Sequence, residues 1–312
     1  MIHWETIVKR REFSVLILIG ALVVVFSIFT ERFLSINNIS NLLLQTAGIV
    51  TASIGMTMVI ITAGIDVSVG STMGMACAVS GLALTAGLPA LLVFIVAIAV
   101  GLIIGLFNGA LIAYGEIPPI IVTLGTMNLV RALMYQVLGG RWISGIPPTI
   151  RFIGLGKMLG IPISTWIAGF LIIAFTYFLN MRPLGRYIYA VGNNQEAARI
   201  SGINLKTTLV FVYALTGALV GFAGLIYVAR TGIVQTNTGM GFELDVIAAV
   251  VLGGTSILGG RGTVVGSLLG ALLVGIIKNG MILLNVPALS EGLVIGVLII
   301  VSVLLDLLRS KR

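Results

Sequence analysis

Long apolar stretches separated by short polar segments dominate this chain. Ten of them are apolar over about 17 to 25 residues, which is long enough to cross a bilayer as helices. They lie near residues 14–30, 42–62, 71–87, 90–113, 118–138, 163–179, 207–229, 245–260, 263–283 and 288–307. The stretch at 245–260 is short and rich in glycine, so we expect it to be broken or re-entrant. The pattern predicts an all-α polytopic membrane protein in which residues 1–312 form a single membrane domain.

Residues 181–206 interrupt this pattern with the most polar stretch of the chain. Within it, residues 196–202 read EAARISG. A polar helix held between two membrane spans is a typical docking place for a soluble partner. We therefore predict one exposed polar helix here and a partner that binds it.

Composition supports membrane insertion and narrows the possible chemistry. The chain is 58% hydrophobic and 9% charged, whereas soluble domains carry about 25% charged residues. Its net charge of +8 is typical of a membrane protein whose basic residues contact anionic lipid, and nothing resembles a nucleic-acid-binding module. Cys77 and His3 are the only residues of their types, so no disulfide framework or metal cluster can form within the chain.

The distribution of basic residues predicts the orientation. With the N-terminus inside, 11 of the 18 lysines and arginines lie inside, five lie outside and two lie within spans. This bias places both termini and residues 181–206 in the cytoplasm. Lys9, Arg10 and Arg11 precede the first span as in a signal peptide, but no small-x-small site precedes Glu31, so we expect an uncleaved span.

Two echoes suggest an internal repeat. GIDVSVG at residues 64–70 resembles GTSILGG at 254–260, and Asn108-Gly109 resembles Asn279-Gly280, each Asn standing 17 residues before a later glycine. We predict two inverted five-helix repeats, with halves near 1–140 and 162–312. The first half carries 19 more residues between its echoes than the second, which fits an equal division poorly.

Catalytic and nucleotide-binding motifs are missing from the sequence. It contains no HExxH, no second histidine to pair with His3, and no GxxxxGK[ST] loop. The chain is therefore not expected to hydrolyse ATP by that motif, and if ATP drives it, another subunit must bind the nucleotide.

A few polar residues among the apolar stretches are candidates for a translocation path. Asp66, with Ser68 beside it, could line a broken helix or could cap the following span. Asn108 and Asn279 could bridge helices or contact a polar solute, and Thr123 shares this ambiguity.

Charged residues near the spans have simpler interpretations. Arg131 and Lys278 are expected near helix ends, with their charged groups reaching the membrane surface. Arg230, Glu243 and Asp245 are expected in a solvated outer loop.

Glycines four residues apart recur within the spans. They include Gly101 with Gly105 and Gly217 with Gly221. This spacing lets helices approach closely, so it predicts a tightly packed bundle.

Several motifs in order resemble the permeases of bacterial ATP-driven (ABC) importers in the monosaccharide branch, which includes ribose, xylose and autoinducer-2 permeases. EAARISG matches the EAAxxxG pattern of these permeases. The other matching segments are GRYIYAVGNNQEAARISGI at 185–203, GIDVSVGS at 64–71, FNG at 107–109, IPPIIVTLGT at 117–126 and VLGGTSILGGRGTVVGSLLGALL at 251–273.

The resemblance implies an assembly in the bacterial inner membrane. Two permease chains, identical or related, would form the path, two cytoplasmic ATPase domains would bind ATP, and an extracytoplasmic binding protein would deliver the solute. This chain would hold no cofactor and would not itself be an enzyme. The residues implied to couple ATP hydrolysis to transport are Asn193, Glu196, Ala197, Ala198 and Gly202, on or just after a helix that sits in a groove of the ATPase.

Three alternatives remain open at this point. GGRWISGIP at 139–147 resembles the autoinducer-2 permeases of the same branch. An ion-driven secondary transporter would favour several buried carboxylates, for which Asp66 is the plausible candidate. A membrane enzyme would need a catalytic set that the sequence lacks.

Overall fold

Helices account for nearly the whole computed structural model, which describes residues 11–287 and 289–310. The expectations for His3, Lys9, Arg10 and the last two residues lie outside this part of the chain. The helices are α1 Arg11–Phe29, α2 Ile36–Ile61, α3 Val69–Thr85, α4 Ala90–Tyr114, α5 Pro119–Leu138, α6 Pro148–Leu155, α7 Ile163–Met181, α8 Pro183–Asn193, α9 Gln195–Ile200, α10 Leu205–Thr231, α11 Phe242–Leu252, α12 Val264–Leu283 and α13 Leu289–Ser310. Between α6 and α7, β1 Lys157–Met158 and β2 Ile161–Pro162 form a two-residue antiparallel hairpin.

Each predicted apolar stretch contains one helix. In the described part of the chain, α2, α4, α5, α7, α10 and α12 are long and apolar enough to cross a membrane. Shorter apolar helices occupy the stretches of α1, α3 and α13. The stretch at 245–260 is helical only to Leu252 and continues as the irregular loop 253–263, which agrees with the expected break. The protein is thus an all-α membrane protein.

The polar segment 181–206 forms two helices, so the prediction of one was wrong. Pro183 stands in the first turn of α8 and, lacking an N–H group, cannot extend the hydrogen-bond ladder of α7. Asn194 then adopts an extended backbone, with φ of −161°, between α8 and α9. The chain therefore turns twice before α10 begins.

The centre of the bundle is formed by α2 and α10, most of whose residues are buried. The helices α4, α5 and α7 expose large apolar side chains such as Leu91, Leu129 and Ile173. Apolar exposure of this kind suits contact with lipid or with a second membrane chain.

The most extensively packed helix pair is α4 with α10. Gly101 and Gly105 of α4 face Gly217 and Gly221 of α10, and a Cβ added to Gly101 or Gly217 would collide with the main chain of the other residue. The predicted close approach of glycine-spaced helices is confirmed here, and the two patterns meet each other.

The first sequence echo joins segments at the same end of the bundle. The Gly260 amide donates to the Ile61 carbonyl at 2.9 Å, which brings loops 62–68 and 253–263 together. Inverted repeats place equivalent segments at opposite ends, so this echo does not support the inversion.

The second echo has the opposite geometry. Asn108 bonds Ser68, beside loop 62–68, whereas Asn279 bonds Asn38 in the first turn of α2. These positions lie at opposite ends of α2, as an inversion requires.

We name the end that carries α8 and α9 the α8–α9 end, and the other the distal end.

Candidate functional site

A buried polar network occupies the α8–α9 end around Asp66. One carboxylate oxygen of Asp66 accepts from the Ser68 amide at 2.9 Å and from the Ser68 hydroxyl at 2.6 Å. The Asn108 side-chain amide donates to the same hydroxyl at 2.9 Å. All three residues are buried, so their hydrogen bonds satisfy groups that would be costly to leave unpaired.

The capping interpretation of Asp66 agrees with its hydrogen bond to the Ser68 amide. Ser68 is the N-cap residue of α3, so Asp66 satisfies one free N–H group where this helix begins. The Ser68 side chain itself makes no capping hydrogen bond. The carboxylate therefore fixes the loop that leads into α3.

Four of the five predicted path residues meet around this loop. Besides Asp66, Ser68 and Asn108, the Thr123 hydroxyl of α5 donates to the Ile65 carbonyl at 3.1 Å. Asn279 lies at the distal end, where its amide and that of Asn38 donate to each other at 2.9 and 2.8 Å. Asn279 thus bridges α12 to α2, as in the helix-bridging interpretation.

Two polar atoms beside the network have no partner among the described residues. These are the side-chain oxygen of Asn108 and the hydroxyl of Tyr213, both buried. A Cβ added to Gly64 would collide with that hydroxyl, so Tyr213 of α10 touches the same loop. A buried donor or acceptor without a partner lowers the stability of the fold. These two atoms are therefore available to form hydrogen bonds with a molecule that enters the site.

The residues of α9 present a small charged surface. Glu196 accepts from Arg199 at 2.6 and 2.9 Å, and these bonds lower the pKa of Glu196, which keeps the carboxylate charged at neutral pH. Ala197 is exposed, whereas Ala198 is buried against the protein.

Two further details describe α9. Its two alanines point in different directions, because consecutive residues on a helix point about 100° apart. The helix is capped by Asn194, whose side chain accepts from the Ala197 amide at 3.0 Å. Gly202 has φ of 83° just beyond the C-cap Ser201, which is typical of a glycine that ends a helix.

Helix α8 connects α9 to the two loops 62–68 and 253–263. Gly192 contacts the Ile61 carbonyl and the Gly260 amide so closely that a Cβ would collide with Ile61. The Tyr189 hydroxyl donates to the Gly262 carbonyl at 2.8 Å, and burial raises the pKa of Tyr189. Asn193, the last residue of α8, lies against Gly260. Helix α8 therefore packs directly against both loops.

The charged residues at the distal end were misjudged from sequence. Lys278 of α12 forms ion pairs with Asp245 of α11 at 2.7 Å and Glu291 of α13 at 3.4 Å. Asp245 lies on a helix and is 7% exposed, so it is not in a solvated loop. Lys278 is held by these two carboxylates. A lone lysine in an apolar span was the available signal, since such a charge requires a partner.

Arg131 and its neighbours also differ from expectation. The Arg131 guanidinium donates to the Thr238 carbonyl at 2.7 Å and therefore ties α5 to the loop that precedes α11. Glu243 lies in the first turn of α11 and accepts from the Gly241 amide at 3.2 Å. Arg230 stacks on the Tyr227 ring, 5.6 Å from its centre.

Known proteins similar to this chain match it over nearly its full length. Residues 38–303 match the family described as branched-chain amino acid transport system / permease component. The ribose import permease protein RbsC of Haemophilus influenzae is 39% identical over 304 residues, which cover 96% of this chain and 93% of that protein. RbsC of Escherichia coli K12 is 40% identical over 314 residues, covering 97% and 98%.

A second group of relatives carries a different name. The autoinducer 2 import system permease protein LsrC of Photorhabdus laumondii is 33% identical over 302 residues, covering 97% of this chain and 91% of that protein. No solved structure matches the chain.

Proposed function

The chain belongs to the family of transport-system permease components, and from this premise we propose that it is the membrane subunit of an ATP-driven importer for a monosaccharide or sugar-like solute. The observation that carries the proposal is its near-full-length similarity, at about 40% identity, to ribose import permeases. It is a transport subunit with no nucleotide-binding loop of its own, so ATP is bound by partner subunits.

The assembly follows from this role. We propose two cytoplasmic ATPase domains, a second permease chain, the same or related, and an extracytoplasmic solute-binding protein. The bundle spans a bacterial inner membrane ten times with both termini and the α8–α9 end in the cytoplasm, and the halves near 1–140 and 162–312 are inverted repeats. The excess of basic residues in the loops on that side supports this orientation.

The geometry of the polar segment supports a role in coupling. Helix α9 exposes Glu196 and Ala197, while α8 behind it contacts the loops after α2 and α11. We propose that Asn193, Glu196, Ala197, Ala198 and Gly202 receive the motion of the ATPase. The path for the solute passes Asp66, Ser68, Asn108 and Thr123, with Asn279 near its outer end.

The runner-up substrate is autoinducer-2, because relatives named as its permeases are 33% identical to this chain. An ion-driven transporter remains the alternative of another class. Asp245 adds a second buried carboxylate to Asp66, but its ion pair with Lys278 already provides the compensating charge, which argues against a free proton relay.

The proposal is tested in proteoliposomes that contain this chain, its ATPase and its binding protein. ATP inside the vesicles should drive uptake of labelled D-ribose, and an ATPase with an inactivated Walker lysine should abolish it. Unlabelled autoinducer-2 would compete if it is the solute. Uptake that persists with the inactive ATPase and follows an ion gradient would overturn the ABC assignment.

Altering α9 should uncouple ATP hydrolysis from transport without preventing insertion. Glu196→Lys reverses an exposed charge at the partner surface, and Gly202→Pro cannot adopt φ of 83°, since proline is fixed near −65°. Both should lower ATP-driven uptake about tenfold, as for an interface hot spot. Glu31→Lys and Gly87→Pro are the controls, since Glu31 is exposed at the distal end and Gly87 also has φ of 83° there. Normal uptake by both α9 variants would remove the coupling role.

Asp66→Asn tests the proposed path. An asparagine oxygen can still accept from the Ser68 amide and hydroxyl, so the protein should accumulate normally, with a stability loss of about 1 kcal/mol from weaker hydrogen bonds. Uptake should fall several-fold because the loop loses its carboxyl group. Glu116→Gln is the matched control, since Glu116 is an exposed acid at the same end. Unchanged uptake by Asp66→Asn would exclude Asp66 from the path.

A further inference from the structure

A cavity lies on the distal side of the Asp66 network. It is enclosed by α2, α3, α10, α11, α12 and the loop 232–241, and its volume is about 340 Å³. Pockets for small molecules measure about 300–1,000 Å³. Met73 of α3 lines the cavity and follows Ser68 of the network by five residues, or about 7.5 Å at the helical rise.

Four planar polar side chains line this cavity. They are Gln45, Arg230, Gln235 and Asn237. Among the described residues, none of these side-chain groups has a hydrogen-bond or ion-pair partner; the Arg230 guanidinium only stacks on Tyr227. Amides both donate and accept while guanidinium donates, and a hydroxyl group needs both functions. The lining therefore matches a ligand that carries several hydroxyls.

Aromatic rings complete the lining. Tyr227 and Phe242 border the cavity, and Tyr227 holds the Arg230 guanidinium against its ring. Rings of this kind offer an apolar surface with a polar edge, which suits the C–H groups of a sugar ring lying between its hydroxyls.

The charges around the cavity balance. Lys278 is shared by Asp245 and Glu291, which leaves that cluster with one net negative charge. Arg230 supplies one positive charge to the same cavity. A neutral ligand keeps this balance, whereas an anion or a cation would disturb it in a region of low dielectric constant.

The polar side chains are carried by a constrained backbone. The backbone N–H of Gln235 donates to the Thr238 hydroxyl at 2.9 Å. The Thr238 carbonyl in turn accepts from the Arg131 guanidinium at 2.7 Å. Ile143 and Val234 exchange two backbone hydrogen bonds of 2.9 Å, which pins the start of the same loop. A site with fixed hydrogen-bonding groups discriminates against ligands that lack the matching hydroxyl.

We propose that this distal cavity is a solute-selecting site of the permease, which binds an uncharged polyhydroxylated molecule through Gln45, Arg230, Gln235 and Asn237. The inference rests on the proposed function, because it concerns the solute that the binding protein delivers. That solute would be selected twice, first by the binding protein and then by this cavity of the permease.

Protection from a thiol reagent tests binding without requiring transport. Cys77 is the only cysteine of the chain and is buried, so Cys77→Ala provides a cysteine-free background. Met240 lines the cavity and is 70% exposed, which makes Met240→Cys a reporter. D-ribose at twice its dissociation constant should slow labelling of M240C about threefold by mass action. Adding Arg230→Gln should remove this protection.

The matched control is Leu159→Cys, at an exposed position of the distal hairpin outside the cavity. Its labelling should not respond to ribose. Equal labelling rates of M240C with and without saturating ribose would overturn the proposed site. Protection without ATP-driven uptake would instead refute the proposed function and leave the site standing, so the two failures are distinguishable.

Selectivity in proteoliposomes provides the second measurement. The ratio of D-ribose to 2-deoxy-D-ribose uptake is compared for wild type, Gln235→Ala and Arg230→Gln with the same binding protein, so a change in the ratio arises in the permease. The ratio should fall by about tenfold in at least one variant, since a polar partner of a hydroxyl is lost. Gln136→Ala and Arg141→Gln, at exposed positions outside the cavity, should keep the wild-type ratio. Wild-type ratios in both cavity variants would overturn the proposal.

Discussion

Lys278→Met should destabilise the protein by about 3 kcal/mol, which is the lower end of the cost of breaking a buried ion pair. The substitution keeps the length of the side chain but removes the charge shared by Asp245 and Glu291. Two carboxylates would then face each other beside the distal cavity without a cation. Denaturant titration in mixed micelles measures the loss, and we expect α11, α12 and α13 to separate first at their distal ends.

Removing the stranded carboxylates should restore most of this stability. The triple variant Lys278→Met, Asp245→Asn, Glu291→Gln contains no charge in the cluster, and replacing a whole buried ion cluster is often close to neutral. Lys157→Met is the matched control, because Lys157 is exposed in β1 and its loss should cost little. A Lys278→Met protein as stable as wild type, or a triple variant no better than the single one, would contradict the assigned role of the lysine.

Gly217→Val should cost about 3 kcal/mol or more, at or above the upper end of ordinary overpacking. A Cβ at Gly217 would collide with the Gly101 carbonyl, and a main-chain atom of a packed helix cannot move aside as a side chain can. Helices α4 and α10 must therefore separate along their most extensive contact. We expect little folded protein in the membrane, measured by monodisperse yield and melting temperature in detergent.

The control for this substitution is Gly169→Val. Gly169 lies on α7 with no atom within 4 Å of an added Cβ, so the same change in residue type meets open space. It should insert and melt close to wild type. If the two variants behave alike, the loss at Gly217 reflects the helix propensity of glycine and valine, and the packing explanation fails.

Helix positions could be predicted from the sequence because hydropathy is a local property. The stretch predicted at 90–113 is helical over Ala90–Tyr114, and that at 118–138 over Pro119–Leu138. The number of helices in the polar segment was not predicted, because it depends on the positions of two residues. Pro183 separates α7 from α8, and Asn194 separates α8 from α9. The composition of the segment is polar on both sides of Asn194, so it does not show where one helix ends.

Residues of the candidate site could be predicted where a single polar residue stands in an apolar stretch. Asp66, Ser68, Asn108 and Thr123 stood out from apolar surroundings, and the fold brings them together through one loop. The Lys278–Asp245 pair was missed because its members are 33 residues apart and each was interpreted singly. Asn279 was grouped with Asn108 by the second echo, but the two asparagines form hydrogen bonds near opposite ends of α2.

The contact of Gly192 with Ile61 and Gly260 joins main chain to main chain. A side-chain contact can absorb a push by changing rotamer, but backbone atoms at this separation have no such slack. We therefore expect a displacement of helix α8 to move the loops after α2 and α11 together, because no side-chain rotamer lies between them to absorb it.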